Sequence, residues 1–328
     1  MKIVFYNETI ISGGIEKCLE LLSQYLKLDY EVEIIYKDDT NLDLNIVNIL
    51  SQYAYVHKLN DGDIVKADIC VWCRIYLDIK NLTKQILADR YLLWVHSKPF
   101  ALDNCVLDNL DFMKTIEKII CVSEEVKSKV GFDEKSMVIH NFINTNISEL
   151  ADEIDNPLSY IPKNVLRLVI VSRLSFEKGF DRVEKIVKCL ITSDIKFELN
   201  IIGKGRKAEP FIRKDLGKYS QIHFLGYMDN PYPYVKDSDF ILVLSDYESW
   251  GNVITESKVL GTPCMVADFP SAKEQIDDGV NGIIVPLECD DYTPYVNRLV
   301  QSKDFLKHNL CNFHYQNEID KWNYILKN

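Results

Sequence analysis

The stretch that decides the fold runs from residue 240 to residue 267, FILVLSDYESWGNVITESKVLGTPCMVA. Its apolar start, residues 240–244, predicts a buried strand, and residues 264–267 predict the next one. Between them the sequence predicts a polar loop and then a short helix over residues 252–260, with Gly261 at its C-terminal end. This strand–loop–helix–strand order is typical of a parallel α/β sheet.

Two carboxylates of this unit lie where a ligand could reach them. Glu248 is on the loop, and Glu256 is about one turn inside the helix, whose N-terminal dipole near Gly251 favours anions. A carboxylate can accept hydrogen bonds from a vicinal diol. Either glutamate alone is more often a solvated surface residue. The functional interpretation therefore depends on their spacing and on the motifs elsewhere in the chain.

Composition restricts the class of protein. A length of 328 residues indicates about two domains, and 47% hydrophobic residues suffice for two cores. The net charge of -11 argues against a nucleic-acid partner, and residues 1–155 hold most of it, with 16 Lys and Arg against 26 Asp and Glu. Nine scattered Cys residues fit buried thiols in a reducing cytosol, and no apolar run approaches the ~18 residues of a membrane helix.

The first half of the chain alternates apolar runs with helical patterns, which predicts a parallel sheet covered on both faces. The predicted strands are 3–6, 32–36, 69–75, 92–96 and 119–123. Gly13 and Gly14 separate the first strand from the first helix and would let the backbone approach a phosphate, although a plain turn remains open. His96 ends a strand, at the sheet edge where ligands of open α/β sheets bind.

The second half restarts the same alternation after a polar stretch at 148–164, which we interpret as a linker. A strand at 168–171 leads into a loop that carries Arg173 and Lys178, close enough to clamp one diphosphate, and then into a helix over 180–192. The other predicted elements are the strand 199–202 before Gly203, the segment 222–228 and a C-terminal helix over about 303–328.

In this order the motifs resemble the donor-site signature of the retaining glycosyltransferases of family 4, which have the GT-B fold. The matching segments are the E-x7-E of Glu248 and Glu256, the G-G-x-E that starts at Gly13, the R-x4-K-G that starts at Arg173, an I-x-G-x-G over 201–205 and an F-x-G over 224–226. The match is strong over 165–287 and looser over 1–150. Phe142 stands where the family usually has glycine.

The resemblance implies two Rossmann-like α/β domains that face each other across a deep cleft. Residues 1–155 would bind the acceptor, residues 156–305 would bind the nucleotide sugar, and residues 306–328 would form a helix that crosses back to the first domain. It implies catalytic roles for Glu248, Arg173, Lys178 and His96. It implies donor binding by Gly13, Gly14, Gly203, Tyr227, Met228, Gly251, Asn252, Val253 and Glu256, with Glu256 on the ribose and Glu248 on the transferred sugar.

The implied reaction moves a sugar, with retention, from a nucleoside-diphosphate donor, first of all a UDP-sugar, to a hydroxyl of a saccharide or glycolipid in surface polysaccharide or glycoconjugate synthesis. No cofactor and no metal is expected, and no nucleic acid. The expected place is the cytoplasm, with peripheral contact at the inner face of the membrane as an option. Two alternatives remain: a sugar-nucleotide epimerase of the same fold, and a protein that binds nucleotide sugars without turnover.

Overall fold

The computed structural model describes residues 1–11, 13–74, 79–97, 105–144, 146–155, 157–310 and 316–328. The chain divides into two compact units. Unit 1 comprises Met1–Ile143 together with Tyr315–Asn328, and unit 2 comprises Asn144–His314. Each unit has a parallel sheet of its own.

Unit 1 is built on a seven-stranded parallel sheet in the order β3-β2-β1-β4-β5-β6-β7. Its strands are β1 Lys2–Tyr6, β2 Glu31–Tyr36, β3 Tyr55–Lys58, β4 Val65–Trp72, β5 Ile86–Val95, β6 Ile116–Cys121 and β7 Ser136–Val138. Its helices are α1 Gly14–Leu26, α2 Leu44–Leu50, α3 Ile79–Gln85, α4 Leu110–Thr115, α5 Glu124–Val130 and, from the end of the chain, α12 Gln316–Lys327. The five strands predicted here are confirmed. β4 starts four residues before the predicted residue 69, β5 starts six residues before the predicted residue 92, and Ile75 lies outside the described residues.

Unit 2 has a six-stranded parallel sheet in the order β10-β9-β8-β11-β12-β13. Its strands are β8 Leu166–Val171, β9 Phe197–Ile202, β10 Ile222–Gly226, β11 Phe240–Val243, β12 Cys264–Ala267 and β13 Gly282–Val285. Its helices are α6 Ile147–Ala151, α7 Phe180–Thr192, α8 Glu209–Leu216, α9 Tyr232–Lys236, α10 Asn252–Val259 and α11 Thr293–His308. Apolar residues of α7, α8 and α11 share one core with the strands, because an apolar helix stripe must be buried against the sheet.

The border between the units comes earlier than the sequence predicted. Unit 2 begins at Asn144, so the stretch 148–164 is part of unit 2 and does not link the two units. Leu158 and Ile161 are buried, and α6 packs against α9. Asn230 Nδ2 also donates to the α6 carbonyl of Leu150 at 2.8 Å. A few apolar side chains therefore anchor a stretch that is polar on average.

The end of the chain forms two helices where the sequence predicted one over 303–328. α11 ends at His308, α12 begins at Gln316, and residues 311–315 lie outside the described residues. α12 packs on unit 1: Trp322 is fully buried and meets Trp94 edge to face, with ring centroids 4.9 Å apart. Arg90 Nη2 of β5 also donates to the α12 carbonyl of Ile325 at 2.8 Å.

The cysteines that the structure describes are free thiols, and six of the eight are buried. Cys311 lies outside the described residues. Burial raises the pKa of the Cys70 and Cys73 thiols, so this C-x2-C pair is held in its protonated form. A thiol in that state is a poor metal ligand and a poor nucleophile.

Candidate active site

The candidate site of unit 2 lies at the carboxyl ends of β8 and β11. These strands are neighbours, and the strand order reverses between them, because β9 and β10 lie on one side and β12 and β13 on the other. In open α/β sheets this switch point is where ligands bind. The loop 172–179 follows β8 and the loop 244–251 follows β11, so the predicted R-x4-K-G and the first glutamate of E-x7-E come from the two strands at the switch.

Lys178 and Glu248 are in direct contact there. Lys178 Nζ lies 2.6 Å from Glu248 Oε1, and both side chains are mostly buried, at 16% and 18% exposure. Ser245 Oγ donates to the same carboxylate oxygen at 2.7 Å. The carboxylate is therefore fixed by an ion pair with Lys178 and by a hydrogen bond from the Ser245 hydroxyl, both on Oε1.

The two loops are locked together by their backbones. Gly179 has a φ of +69°, and a Cβ at this position would lie 1.8 Å from the Leu244 carbonyl oxygen. Asp246 N donates to the Glu177 carbonyl at 2.9 Å. Only glycine combines this φ with such a close approach, so the position of Lys178 relative to the 244–251 loop is set by main chain.

Arg182 supports the same junction from the first turn of α7, and the sequence analysis missed it. Its side chain is buried, donates from Nε to the Leu244 carbonyl at 3.0 Å, and is ion-paired through Nη2 with Asp246. Ser245 was missed as well. Neither residue belongs to a motif quoted above. Arg182 could have been noticed as a charged residue among the apolar positions of the predicted helix 180–192.

Arg173 occupies a more open position than Lys178. Its side chain is 73% exposed, and its Nη2 lies 3.3 Å from Glu177 Oε1. Partial burial acts to raise the pKa of Glu177, but hydrogen bonds from Ser175 and the backbone, with the charge of Arg173, hold it below its ordinary value. Glu177 is thus a carboxylate counter-ion, and an anionic ligand at Arg173 would compete with it.

Helix α10 starts at the predicted place. Gly251 caps it in the left-handed conformation, with φ +81° and no side chain to cap the helix, and Asn252 and Val253 form a partly exposed first turn. The ideal Cβ position of Gly251 is 3.7 Å from Glu248 Cβ. The N-terminus of α10, which favours anions, therefore adjoins the Glu248 loop.

Glu256 lies on the buried side of α10 rather than on an outer surface. It is 8% exposed, and Tyr232 Oη donates to its Oε1 at 3.3 Å. Next to it, Thr255 Oγ1 donates to Gln275 Oε1 at 2.8 Å, and Gln275 Nε2 donates in turn to the Trp250 carbonyl. Tyr232 and Gln275, neither predicted from sequence, fix this side of the helix.

The remaining predicted donor residues of unit 2 follow β9 and β10. Gly203 has a φ of +142°, and a Cβ there would lie 1.8 Å from the Ser172 carbonyl oxygen. Tyr227 is 51% exposed with Lys204 Nζ 4.6 Å from its ring centroid, and Met228 is half-buried. An exposed aromatic ring beside a glycine turn offers a flat surface for a planar ligand group.

The predicted residues of unit 1 lie at the carboxyl edge of its own sheet. Gly13 precedes α1 in an extended conformation, Gly14 starts that helix, and the ideal Cβ of Gly13 would lie 2.9 Å from Glu16 Oε2. His96 directly follows β5 and lies against Trp94, with ring centroids 4.2 Å apart and ring planes tilted by 49°. Burial, and secondly the charge of Arg74, lower the pKa of His96 to about 3.

Within the described ranges, no group of three or more His, Cys, Asp or Glu residues has the arrangement of a metal site. In the same part of the chain, no helix has the length and apolarity needed to cross a membrane.

Comparison with known proteins shows what unit 2 is similar to. Residues 153–311 match the model of the family "Glycosyl transferases group 1". The lipopolysaccharide core biosynthesis glycosyltransferase LpsE of Rhizobium meliloti is 26% identical over 198 residues, which cover 58% of this chain and 56% of LpsE. The N-acetyl-alpha-D-glucosaminyl L-malate synthase of Bacillus anthracis is 27% identical over 136 residues, 40% of this chain and 35% of the synthase. The chain spans about half the length of the first curated relatives it matches.

Solved structures match the whole chain. Anabaena Alr3699/HepE, crystallised in complex with UDP and glucose, superposes with a TM-score of 0.79 at 18% identity, covering 100% of this chain and 99% of HepE. TarM superposes with a TM-score of 0.72 at 10% identity, covering 100% and 99% of the two chains. The predicted GT-B fold is thereby confirmed. The chain has two Rossmann-like units of the GT-B type, and its residues 153–311 match the model of the glycosyl transferases group 1 family.

Proposed function

We propose that the protein is a retaining glycosyltransferase of family 4. It moves a sugar from a nucleoside-diphosphate donor, most simply a UDP-sugar, to a hydroxyl of a saccharide or lipid-linked saccharide in surface polysaccharide synthesis. The contact between Lys178 and Glu248 at the switch point of unit 2 carries this proposal, because it joins the two matching motifs in one place. The similarity to LpsE, a lipopolysaccharide core biosynthesis glycosyltransferase, supports the pathway, and the UDP and glucose in the HepE complex support the donor.

In this proposal the residues of the site bind three parts of the donor: the ribose, the transferred sugar and the diphosphate. Glu256 accepts hydrogen bonds from the ribose hydroxyls, and Glu248 contacts the transferred sugar. Arg173, Lys178 and the N-terminus of α10 bind the diphosphate. Breaking the sugar–phosphate bond moves an electron pair onto the leaving phosphate, and preorganised donors aimed at that charge stabilise the transition state.

No carboxylate is assigned as a nucleophile. The acceptor hydroxyl attacks from the face that the phosphate leaves, its proton passes to the departing phosphate oxygen, and the new bond keeps the configuration of the old one. Positive side chains and helix amides supply the electrostatic stabilisation, so the proposed reaction uses neither cofactor nor divalent metal. We propose that it takes place in the cytoplasm, with lipid-linked acceptors met at the membrane surface.

A panel of UDP-, GDP- and ADP-sugars, incubated with and without excess chelator, tests the proposal. We expect slow release of free nucleotide from one donor, at the same rate with and without chelator. An isomerised donor would identify an epimerase, and tight binding of an unchanged donor would identify a sensor. Loss of activity in chelator that Mg²⁺ or Mn²⁺ restores would contradict metal independence, and a β-linked product from an α-linked donor would contradict retention.

A further inference from the structure

The carboxyl edge of the unit 1 sheet carries a polar cluster around Arg74, a residue to which the proposed function gives no role. The strand order of this sheet reverses between β1 and β4. Asn7 directly follows β1 and Arg74 is two residues beyond β4. Cys73 N donates to the Tyr6 carbonyl at 2.9 Å, so the two strand ends are level. Arg74 therefore lies at the switch point of unit 1, where an open α/β sheet binds ligands.

Arg74 donates hydrogen bonds to two buried side chains. Its Nε donates to Asn7 Oδ1 at 2.5 Å and its Nη2 lies 3.2 Å from Glu16 Oε1. Asn7 Nδ2 donates to the same Glu16 oxygen at 2.8 Å, and Asn7 and Glu16 are 0% and 2% exposed. The guanidinium is thus held by a small closed network whose other members are inaccessible to solvent. A side chain fixed in this way is preorganised for a ligand.

The Arg74 guanidinium still has N–H groups that a ligand could use. The Arg74 side chain is 26% exposed, against 2% for Glu16. The two bonds use the Nε hydrogen and one Nη2 hydrogen, so three of the five N–H groups have no partner among the residues that the structure describes. A planar guanidinium with adjacent free N–H groups matches the geometry of phosphate and carboxylate oxygens.

His96 adds a neutral partner to the same edge. Both of its ring nitrogens are buried, and neither has a hydrogen-bond partner within the described ranges. Because its pKa is lowered to about 3, the ring is uncharged at physiological pH and offers one donor and one acceptor. The cluster therefore combines one fixed cation with one neutral polar ring whose hydrogen bonds are unmade, a costly state unless a ligand makes them.

We propose that Arg74 binds an oxyanion, a phosphate or a carboxylate group of a substrate, and that Asn7 and Glu16 are the residues that position it. The substrate assignment rests on the proposed glycosyltransferase function, but the oxyanion site does not. Two substrates could supply the group: the diphosphate of the donor, or an acidic group on the acceptor. Both present the same oxygen geometry to Arg74, so the experiment must separate them.

Arginine side-chain NMR gives a direct local readout. The chain has eight arginines, and the Nε–H resonance of Arg74 is identified by its loss in Arg74→Lys. We expect inorganic phosphate, titrated into the full-length protein, to shift this resonance in the wild type. Lys66→Gln, an exposed charge removal at the opposite end of β4, should leave the response intact. An Arg74 resonance that does not respond to phosphate would overturn the proposal.

Calorimetry with UDP identifies the source of the oxyanion. If it is the donor diphosphate, Arg74→Gln raises the Kd for UDP about 10- to 100-fold and Arg74→Lys raises it less. If it belongs to the acceptor, both variants keep the wild-type Kd, and phosphate still shifts the Arg74 resonance in UDP-saturated protein. An unchanged Kd together with loss of the phosphate response in UDP-saturated protein would contradict both sources. If the protein turns over no nucleotide sugar but Arg74 still responds to phosphate, the proposed function is refuted while the oxyanion site is supported.

Discussion

Lys178 Nζ and Glu248 Oε1 lie 2.6 Å apart, although the two residues are 70 positions apart in the chain. Each is the main charged neighbour of the other, and both side chains are largely withdrawn from solvent. In the proposed mechanism they act on opposite sides of the bond that breaks, with the lysine on the phosphate and the glutamate on the sugar. Their contact therefore joins the two sides of that bond through one ion pair.

The first prediction is that Lys178 and Glu248 are energetically coupled. Lys178→Ala should lower the kcat of donor hydrolysis about 10²- to 10³-fold, since it removes a preorganised donor from the leaving group. Glu248→Gln should lower kcat too. Expressed as activation free energy, the loss in the double variant should be smaller than the sum of the two single losses by about 0.5–3 kcal/mol. Steady-state kinetics of the three variants measures this. Strictly additive losses would show that the contact has no catalytic consequence.

The second prediction concerns Arg173, whose side chain is exposed and paired only with the neighbouring Glu177 among the described residues. Because its charge should matter most as the phosphate departs, Arg173→Ala should lower kcat much more than it raises the KM for the donor. Arg173→Lys should recover part of the rate, since a point charge replaces a two-pronged donor. Arg298→Ala, which removes a surface pair with Asp278, is the control. A rise in KM alone would make Arg173 an anchor of the donor only.

The third prediction separates the two glutamates. Glu256→Ala should weaken binding of free UDP by about 1–3 kcal/mol, the value of hydrogen bonds to a charged acceptor. Tyr232→Phe removes one donor to the same carboxylate and should have a smaller effect. Glu248→Ala should leave UDP affinity nearly unchanged while it impairs transfer. Titration calorimetry checks all three, and equal losses at Glu248 and Glu256 would mean that their roles are misassigned.

The fourth prediction uses two glycines with similar backbone conformations. Gly179 and Gly261 have φ values of +69° and +77°, but a Cβ would meet the Leu244 carbonyl oxygen at 1.8 Å in the first case and nothing within 4 Å in the second. Gly261→Ala should therefore cost only about 1–2 kcal/mol for the left-handed conformation. Gly179→Ala should cost at least ~2 kcal/mol more, because two loops must separate. Urea unfolding of both variants measures the difference. Equal losses of stability would show that the loops 172–179 and 244–251 can separate at little cost.

The fifth prediction is an acid dependence of stability that originates at His96. The folded ring takes up a proton only near its pKa of about 3, whereas an unfolded histidine does so near pH 6.5. Between these values the unfolded state holds more protons, so the free energy of unfolding falls as pH falls, by up to about 1.4 kcal/mol per pH unit. Above about pH 6.5 the residue contributes no slope. His96→Gln should flatten the urea-unfolding profile between pH 4 and 6, and an unchanged profile would refute the assignment.

The strand–loop–helix–strand unit at 240–267 could be predicted closely because its signals are local. β12 spans the predicted residues 264–267, and α10 ends one residue before the predicted 260. Apolar runs, a glycine at each helix end and a proline after the helix act within a few residues of where they stand. The seven other strands that were predicted from apolar runs are also present, although β4 and β5 start four and six residues earlier than predicted.

The supporting residues of the site could not be predicted, because their partners are distant in sequence. Arg182 binds the carbonyl of Leu244 across 62 positions, and Gln275 reaches the Trp250 carbonyl across 25. Such bonds depend on which strands become neighbours, which no local pattern encodes. The predicted border at residue 155 came too late for a similar reason, because Ile147 and Ala151 of α6 are buried only once the unit has folded.

Helix α12 has a consequence for synthesis of the chain. Unit 2 is an insertion in unit 1, because Asn144–His314 lies between Ile143 and the terminal segment that packs on Trp94 and Arg90. A ribosome therefore completes every strand and helix of the later unit before it makes the last helix of the earlier one. Part of the surface of the unit 1 sheet therefore stays uncovered until α12 has been synthesised. Chaperones that shield apolar surface would be needed most at that stage.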